Sequence, residues 1–327
     1  MGGEPRGPVI GLVLHPTRPV GGSVATVVAA ARERSARVLA READRDRVLA
    51  GVEVVPDERF AAEVDGLIAL GGDGTILGAM RLVADRVVPV LGVNHGNLGF
   101  LAEVHPAELP SALARLAAGD FTIEWHAALQ VSADGAALGM RSGFNDVVLG
   151  RASRGGAVSL DLTINGLRYG YYRADAVVVA TPTGSTAYNH AAGGPVLSPS
   201  SSALVITPVA PMSGIGRSVV LGAADRVRLD VAADSAPINV DVDGTPAGEL
   251  GRGDRLTATM RPEAGQVVRL SGGEHASRSR VKLSLLDLPL RPDQLLELVP
   301  PELRRDAEAA AGHIQALDRP EGPASGP

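Results

Sequence analysis

The chain has 327 residues, no cysteine and a formal net charge of −6, with 45% hydrophobic and 21% charged residues. This is the composition of an ordinary globular protein; it excludes disulfides and thiolate metal sites, and the acidic balance argues against a protein that coats nucleic acid. Single cores seldom grow past about 250 residues, so two domains are expected, and no apolar run approaches the ~18 residues of a membrane helix.

The amino-terminal run VIGLVL, closed by His15-Pro16, is too short for the hydrophobic region of a signal peptide and lacks a small-residue cleavage site. It reads as a first strand, and a cytoplasmic location is the expectation. From Val9 to about Leu101 short apolar runs alternate with helical stretches: SVATVVAAARERSA, ARVLA, GLIAL, ILGAMRLVA and VVPVLGVN follow in turn. Such alternation indicates parallel β-α units. HPAELPSALARLAAGD adds an amphipathic helix. After Phe121 the texture changes to short β-like runs: TIEWHAALQVS, VSLDLTIN, DAVVVAT, SALVITPV, RVRLDVA, PINVDVDG, DRLTATM and QVVRLSG. Turns rich in Gly, Asp and Asn separate them, which predicts a mostly antiparallel β-rich second domain beside the α/β amino-terminal domain with its parallel sheet. DQLLELV reads as a helical segment, and the Pro-, Gly- and Ala-rich end of the chain as a disordered tail.

The stretch LGGDGTILGAM, from Leu70 to Met80, places a glycine-rich turn between a predicted strand and a helix. Open α/β sheets bind ligands at the carboxyl ends of their strands. Glycines allow close backbone approach, and the first N–H groups of a helix favour an anion. Thr75 is expected to cap that helix. Asp73 alone would repel a phosphate, so a carboxylate here suits a bridging cation or a base acting on a hydroxyl that attacks phosphorus. The plainer alternative is a tight turn in which the aspartate bonds its own backbone. Lys282 is the chain's only lysine and lies outside any glycine turn, which excludes the P-loop and protein-kinase arrangements.

Two further loops read as site material. VNHGNLGFL, residues 93–101, follows the next strand on the same sheet edge, and TPTGSTAY, residues 181–188, follows the apolar run AVVVA. The second packs small hydroxyl residues around Gly184 and ends in an aromatic, which suits a sugar or a base. There is no GxSxG nucleophile turn and no zinc-binding histidine spacing.

LGGDGT, NLGFL, Asn145-Asp146 in FNDVVL and DAVVVATPTGSTAYNHAAGGPV, in that order and at these intervals, resemble the NAD kinase family over roughly residues 8–287. TPTGSTAY is the most specific part; the GGDGT turn is shared in related form with diacylglycerol and sphingosine kinases and with phosphofructokinases. The resemblance implies transfer of phosphate from ATP or inorganic polyphosphate to the 2′-hydroxyl of the adenosine ribose of NAD, giving NADP. Asp73 would then be the base or orienting group beside that hydroxyl, with Gly72, Gly74 and Thr75 around the phosphates and Mg²⁺, or another divalent cation, bridging them. By the same resemblance Asn145 and Asp146 bind sugar hydroxyls and adenine, Asp146 standing where the family has a longer Glu. Asp175 contacts the nicotinamide half, Phe100 packs on adenine, and Thr183, Thr186, Ala187 and Tyr188 enclose the dinucleotide. Arg173 is a candidate phosphate partner.

The domains implied are a donor-side α/β domain at 1–120 with 287–302 packing back on it, a β-rich NAD-binding domain at 121–286, and a helix-like then disordered tail at 303–327. Partners are NAD and the phosphate donor, with no nucleic acid and no membrane, in a homodimer or homotetramer. One departure stands out: APMSGIGRSVVL, from Ala210 to Leu221, replaces the family's usual histidine- and proline-containing segment. It motivates a non-catalytic dinucleotide sensor as the rival reading, and a GGDGT lipid kinase is the enzymatic rival. Asp73 counts against the sensor, because a carboxylate beside phosphates gives a pure binder nothing. No basic amphipathic stretch supports the lipid kinase.

Overall fold

The computed structural model describes residues 7–96, 99–134, 138–153, 155–271 and Arg291. The expected carboxyl-terminal segments 287–302 and 303–327 otherwise lie outside the described residues.

The first third builds an open parallel sheet. Strands β1 (Val9–Leu14), β2 (Arg37–Arg41), β3 (Glu53–Val55), β4 (Gly66–Gly71) and β5 (Pro89–Asn94) alternate with helices α1 (Gly21–Glu33), α2 (Asp57–Glu63) and α3 (Asp73–Leu82), and α4 (Leu109–Ala117) follows. β4 lies between β1 and β5, with Leu12 opposite Ile68 and Ile68 opposite Leu91 in parallel register. Its burial is nearly continuous because both faces are covered. On one face α1 and α4 pack Val24, Val27, Leu109 and Leu113 against Leu12, Ile68 and Leu70. On the other, α2 and α3 contribute Phe60, Ile76, Leu77 and Met80. Each such large side chain, fully buried, is worth about 1.5–3 kcal/mol. The short β3 and α2 were not among the expected elements; three residues of strand carry too little alternation to register as a period.

The remainder is antiparallel. β6 (Thr122–Asp134), β7 (Arg141–Gly143), β8 (Asp146–Arg151), β9 (Val158–Ile164), β10 (Leu167–Ala174), β11 (Ala176–Ala180) and β12 (Ala203–Val209) come first. β13 (Ser213–Gly214), β14 (Val219–Gly222), β15 (Val227–Val231), β16 (Ile238–Val242), β17 (Thr245–Leu250) and β18 (Arg255–Arg269) complete it, and the short α5 (Tyr188–Ala191) interrupts between β11 and β12. A six-stranded sheet runs β14-β12-β11-β8-β16-β17. Between it and the larger sheet lies a core that includes Leu129, Leu149, Leu160, Tyr172, Val177, Ile206, Leu229 and Val240, a sheet-on-sheet packing.

DRLTATM and QVVRLSG, expected as two strands, form the single long β18, with an irregularity between Arg261 and Gly265. β18 also pairs in parallel with β5, Val267 opposite Val90, so the larger sheet continues from β3 through β5 and β18 to β13. The parallel and antiparallel parts thus share one sheet, which fixes the carboxyl edge of β4 relative to the β-rich half. At Gly265 a Cβ would crowd both Phe144 and the Met80 sulfur of α3, so this glycine lets the two halves close on each other.

Candidate active site

The site begins at the end of β4. Gly72 is the residue before the helix, extended at φ −108° and ψ −166°, and α3 starts at Asp73. Thr75 is not the cap expected from the sequence. It is the third residue of the helix, its N–H bonds to the Gly72 carbonyl at 3.0 Å, and its side chain folds back over Gly71, where any Cβ would overlap it. Among the described residues a Cβ at Gly72 or Gly74 would meet nothing within 4 Å, so they leave the turn open above both glycines.

The Asp73 carboxylate accepts the main-chain N–H groups of Phe100 at 2.8 Å and Leu101 at 3.1 Å. A Cβ at Gly99 would overlap that carboxylate, which explains why the loop reads NLGFL: only glycine lets the chain pass so close. Phe100 is thereby brought to Asp73, as expected of one site. The carbonyls of the same two residues accept from Arg269, Leu101 through Nη1 at 2.9 Å and Phe100 through Nη2 at 3.2 Å.

Arg269 was not found by sequence reasoning. It is buried, pairs with Glu103 at 3.3 Å and Glu124 at 2.5 Å, and so anchors the Phe100-Leu101 segment. Burial opposes the charge on Glu124, yet the His126 hydrogen bond and Arg269 outweigh it and hold its carboxyl down at about 2. His126 lies 3.2 Å from Glu124 through Nε2 and 3.3 Å from the Thr183 hydroxyl through Nδ1. A continuous polar chain therefore joins the Asp73 turn to the TPTGSTAY loop.

That loop is locked onto Asn145-Asp146. The Thr181 N–H donates to the Asn145 carbonyl at 2.9 Å, its hydroxyl donates to the Phe144 carbonyl at 2.7 Å, and Gly184 sits so close to Asn145 that a Cβ would penetrate its main chain. Thr183 and Thr186 share one tight 3₁₀ turn, with the Thr186 hydroxyl on the Thr183 carbonyl at 3.1 Å. Ala187 follows, and Tyr188 opens α5 with its ring partly exposed. Asn189, buried and satisfied by Ser185, Pro195 and Thr207, pins the far end.

Asp146 is 4% exposed, and burial first, the neighbouring Asp243 second, push its carboxyl up to about 7 against a backbone hydrogen bond from Tyr188. Asp243, in the Asp-Gly turn between β16 and β17, was also missed. Its side chain is fully buried, accepts the N–H groups of Phe144, Asn145 and Asp146 at 2.9, 2.6 and 3.1 Å, and pairs with Arg81 of α3 at 2.7 Å. The Asp-Gly dipeptide after an alternating run was the available signal.

The structure does not bring Arg173 or Asp175 into this cluster of contacts. Arg173 pairs with Asp234 at 2.5 Å, and Asp175 lies 3.2 Å from Arg151. The departing segment Met212–Ile215 hydrogen-bonds along Arg173 and Tyr171 as an added edge strand.

The family model described as the ATP-NAD kinase N-terminal domain matches residues 20–121, and that of the ATP-NAD kinase C-terminal domain matches residues 144–270. An NAD kinase of Symbiobacterium thermophilum is 36% identical over 280 residues, covering 85% of this chain and 99% of that protein. NAD kinase 1 of Streptomyces avermitilis is 34% identical over 319 residues, covering 86% of this chain and 88% of its own. Among solved structures, a yeast NADH kinase complexed with NADH superimposes with a TM-score of 0.76 at 23% identity, covering 88% of this chain and 91% of that one. An NAD kinase from Archaeoglobus fulgidus in complex with ATP gives 0.64 at 20% identity, covering 85% and 98%; at these identities the two structures establish the shared fold. Both domain models match in order, and the Symbiobacterium relative is covered almost end to end, so the chain belongs to the ATP-NAD kinase family and is an enzyme that phosphorylates NAD to NADP.

Proposed function

We propose that this chain transfers the terminal phosphate of ATP, or a phosphate of inorganic polyphosphate, to the 2′-hydroxyl of the adenosine ribose of NAD, with Asp73 as the base. The observation that carries the reading is the Asp73 carboxylate, oriented by the Phe100 and Leu101 amides at a strand end and open above Gly72 and Gly74. In the reaction Asp73 takes the hydroxyl proton as the ribose oxygen bonds to phosphorus, and the bond to the leaving phosphate oxygen breaks to release ADP or a shortened polyphosphate. Asn145, Asp146, Thr183, Thr186, Ala187 and Tyr188, locked together, would hold the dinucleotide, and Phe100 would pack on adenine. Asp175 would contact the nicotinamide half.

Among the described residues no three His, Cys, Asp or Glu side chains converge in a metal-holding group. The residues present fit a divalent cation carried by the donor's own phosphates, where it would neutralise their charge. The division at about residue 120 into donor-side and dinucleotide-side domains belongs to the same proposal. So does assembly as a homodimer or homotetramer, supported by the exposed Leu167, Tyr169 and Tyr171 along β10. Among the described residues no helix is long and apolar enough to cross a membrane.

The test is incubation with NAD, Mg²⁺ and either ATP or polyphosphate, reading NADP with a dehydrogenase that accepts only NADP. NADP from either donor is expected; its absence with both would overturn the reading.

A further inference from the structure

Arg18 and Arg47 stand apart from the arginines described above. Arg269, Arg81 and Arg173 each pair with carboxylates. Among the described residues Arg18 and Arg47 make no ion pair, and both turn onto main-chain carbonyls. Arg18 donates through Nη1 to His95, and Arg47 donates through Nη1 to His15 and through Nη2 to Arg18 at 2.7 Å. A carbonyl orients a guanidinium without cancelling its charge, and several of the five N–H donors on each remain for another acceptor. Arg47 exerts a charge effect on Asp44, but that carboxyl is buried, raised chiefly by its burial, and 3.8 Å from Arg41.

The position of this charge is fixed by β4. The His15 N–H donates to the Leu70 carbonyl at 2.9 Å and the His95 N–H donates to the Gly71 carbonyl at 3.0 Å. The two loops therefore flank the last residues before Gly72-Asp73. His15 accepts the N–H groups of Thr17 and Arg18 through Nδ1 at 3.2 and 3.1 Å, and the His95 Nε2 lies 3.0 Å from the buried Ser23 hydroxyl. Burial lowers both histidines, with Arg18 next in effect, so near neutral pH the net positive charge rests on the arginines. The first turn of α1, which holds Ser23, carries no acidic residue.

We propose that Arg18 and Arg47 form a clamp for the linear phosphate chain of the donor, the triphosphate of a nucleotide or inorganic polyphosphate, beside the Asp73 turn. The proposal rests on the phosphotransfer reading above. Two half-buried guanidiniums that make no ion pair among the described residues, on a chain of net charge −6, are a local positive field that a polyanion would complete. Bound there, the phosphate chain lies at the strand edge that also carries Asp73, which receives the acceptor hydroxyl.

The test uses the full chain with Arg18→Gln, Arg47→Gln and the charge-keeping Arg18→Lys. Loss of a charge-assisted hydrogen bond predicts a rise in donor KM of roughly 10-fold or more in each Gln variant, with NAD affinity unchanged. Arg18→Lys is expected to recover part of that loss. Inorganic tripolyphosphate should compete with the donor and lose potency in the same variants. A rise for ATP alone or for polyphosphate alone assigns the donor; unchanged KM for both would overturn the clamp, as would equal losses in the Lys and Gln variants. If the wild type makes no NADP, the functional reading falls, and calorimetry with tripolyphosphate still decides the clamp. Binding weakened in the Gln variants supports it, and no binding to the wild type overturns it.

Discussion

Asp73 opens the helix just past the end of a parallel strand, where two main-chain amides hold its carboxylate and, among the described residues, open space lies over the neighbouring glycines. Asp146 begins an antiparallel strand, is almost wholly buried, and shares its pocket with a second carboxylate, Asp243. The difference follows from the elements. A parallel strand end running into a helix offers unpaired N–H groups to an anion. The antiparallel half must orient its polar groups through buried side chains instead. α3 joins the two: it begins with Asp73, and in its last turn Arg81 pairs with Asp243, which in turn gathers the amides of Phe144, Asn145 and Asp146. One helix thus sets the distance between the Asp73 carboxylate and the loop proposed to hold the dinucleotide.

The largest break is expected at Arg269. Replacing it with Met leaves Glu103 and Glu124 without their shared cation, and removing one partner of a buried pair costs about 3–5 kcal/mol. Urea unfolding should show that loss, and an unchanged midpoint would mean the network holds nothing. Arg81→Met attacks the link between the halves. It leaves Asp243 buried beside Asp146, and a lost hydrogen bond to a charged group is worth about 1.5–3 kcal/mol. Weaker NAD binding read by calorimetry is the expected sign; full affinity would show that α3 does not set the spacing.

Gly184→Ala forces a methyl group into the Asn145 main chain, an overpacking that costs about 1–3 kcal/mol. NAD affinity should fall with it, while the Asp73 tether stays untouched. The smallest expected change in NAD affinity concerns pH. The Asp146 carboxyl is raised from 3.8 to about 7, so the folded state binds its proton more tightly, and stability falls as pH rises from about 4 to 7. If Asp146 holds a ribose hydroxyl as proposed, the carboxylate ionised above about 7, beside Asp243 and the Tyr188 N–H, would accept it better. NAD affinity should therefore rise modestly through pH 7 and become flat in Asp146→Asn. An identical pH profile in that variant would assign the titration elsewhere.

Much of this was legible in the sequence. Gly-Gly-Asp-Gly-Thr between an apolar run and a helical period marked the strand end, and NLGFL and TPTGSTAY lay on loops that the fold does bring to the same neighbourhood. Local signals sufficed there because turn chemistry is local. Arg269, Glu103 and Glu124 escaped because their partners lie up to 169 residues apart in the chain, and nothing in a single sequence pairs them. The joining of β18 to β5 escaped for the same reason: a parallel pairing across the whole molecule leaves no mark on either strand's alternation. Thr75 was misread as the cap because the preceding Gly72 has no side chain to announce itself as one.

The most direct test of the account is the Asp73→Asn variant, with NADP formation and NAD binding measured on the same preparation. Removing a general base predicts a fall in kcat of roughly 10²–10⁴-fold with NAD still bound, the amide also giving up one of the two main-chain bonds that Phe100 and Leu101 make to the carboxylate. A variant that keeps a near-normal rate would contradict the assignment of Asp73 as the base.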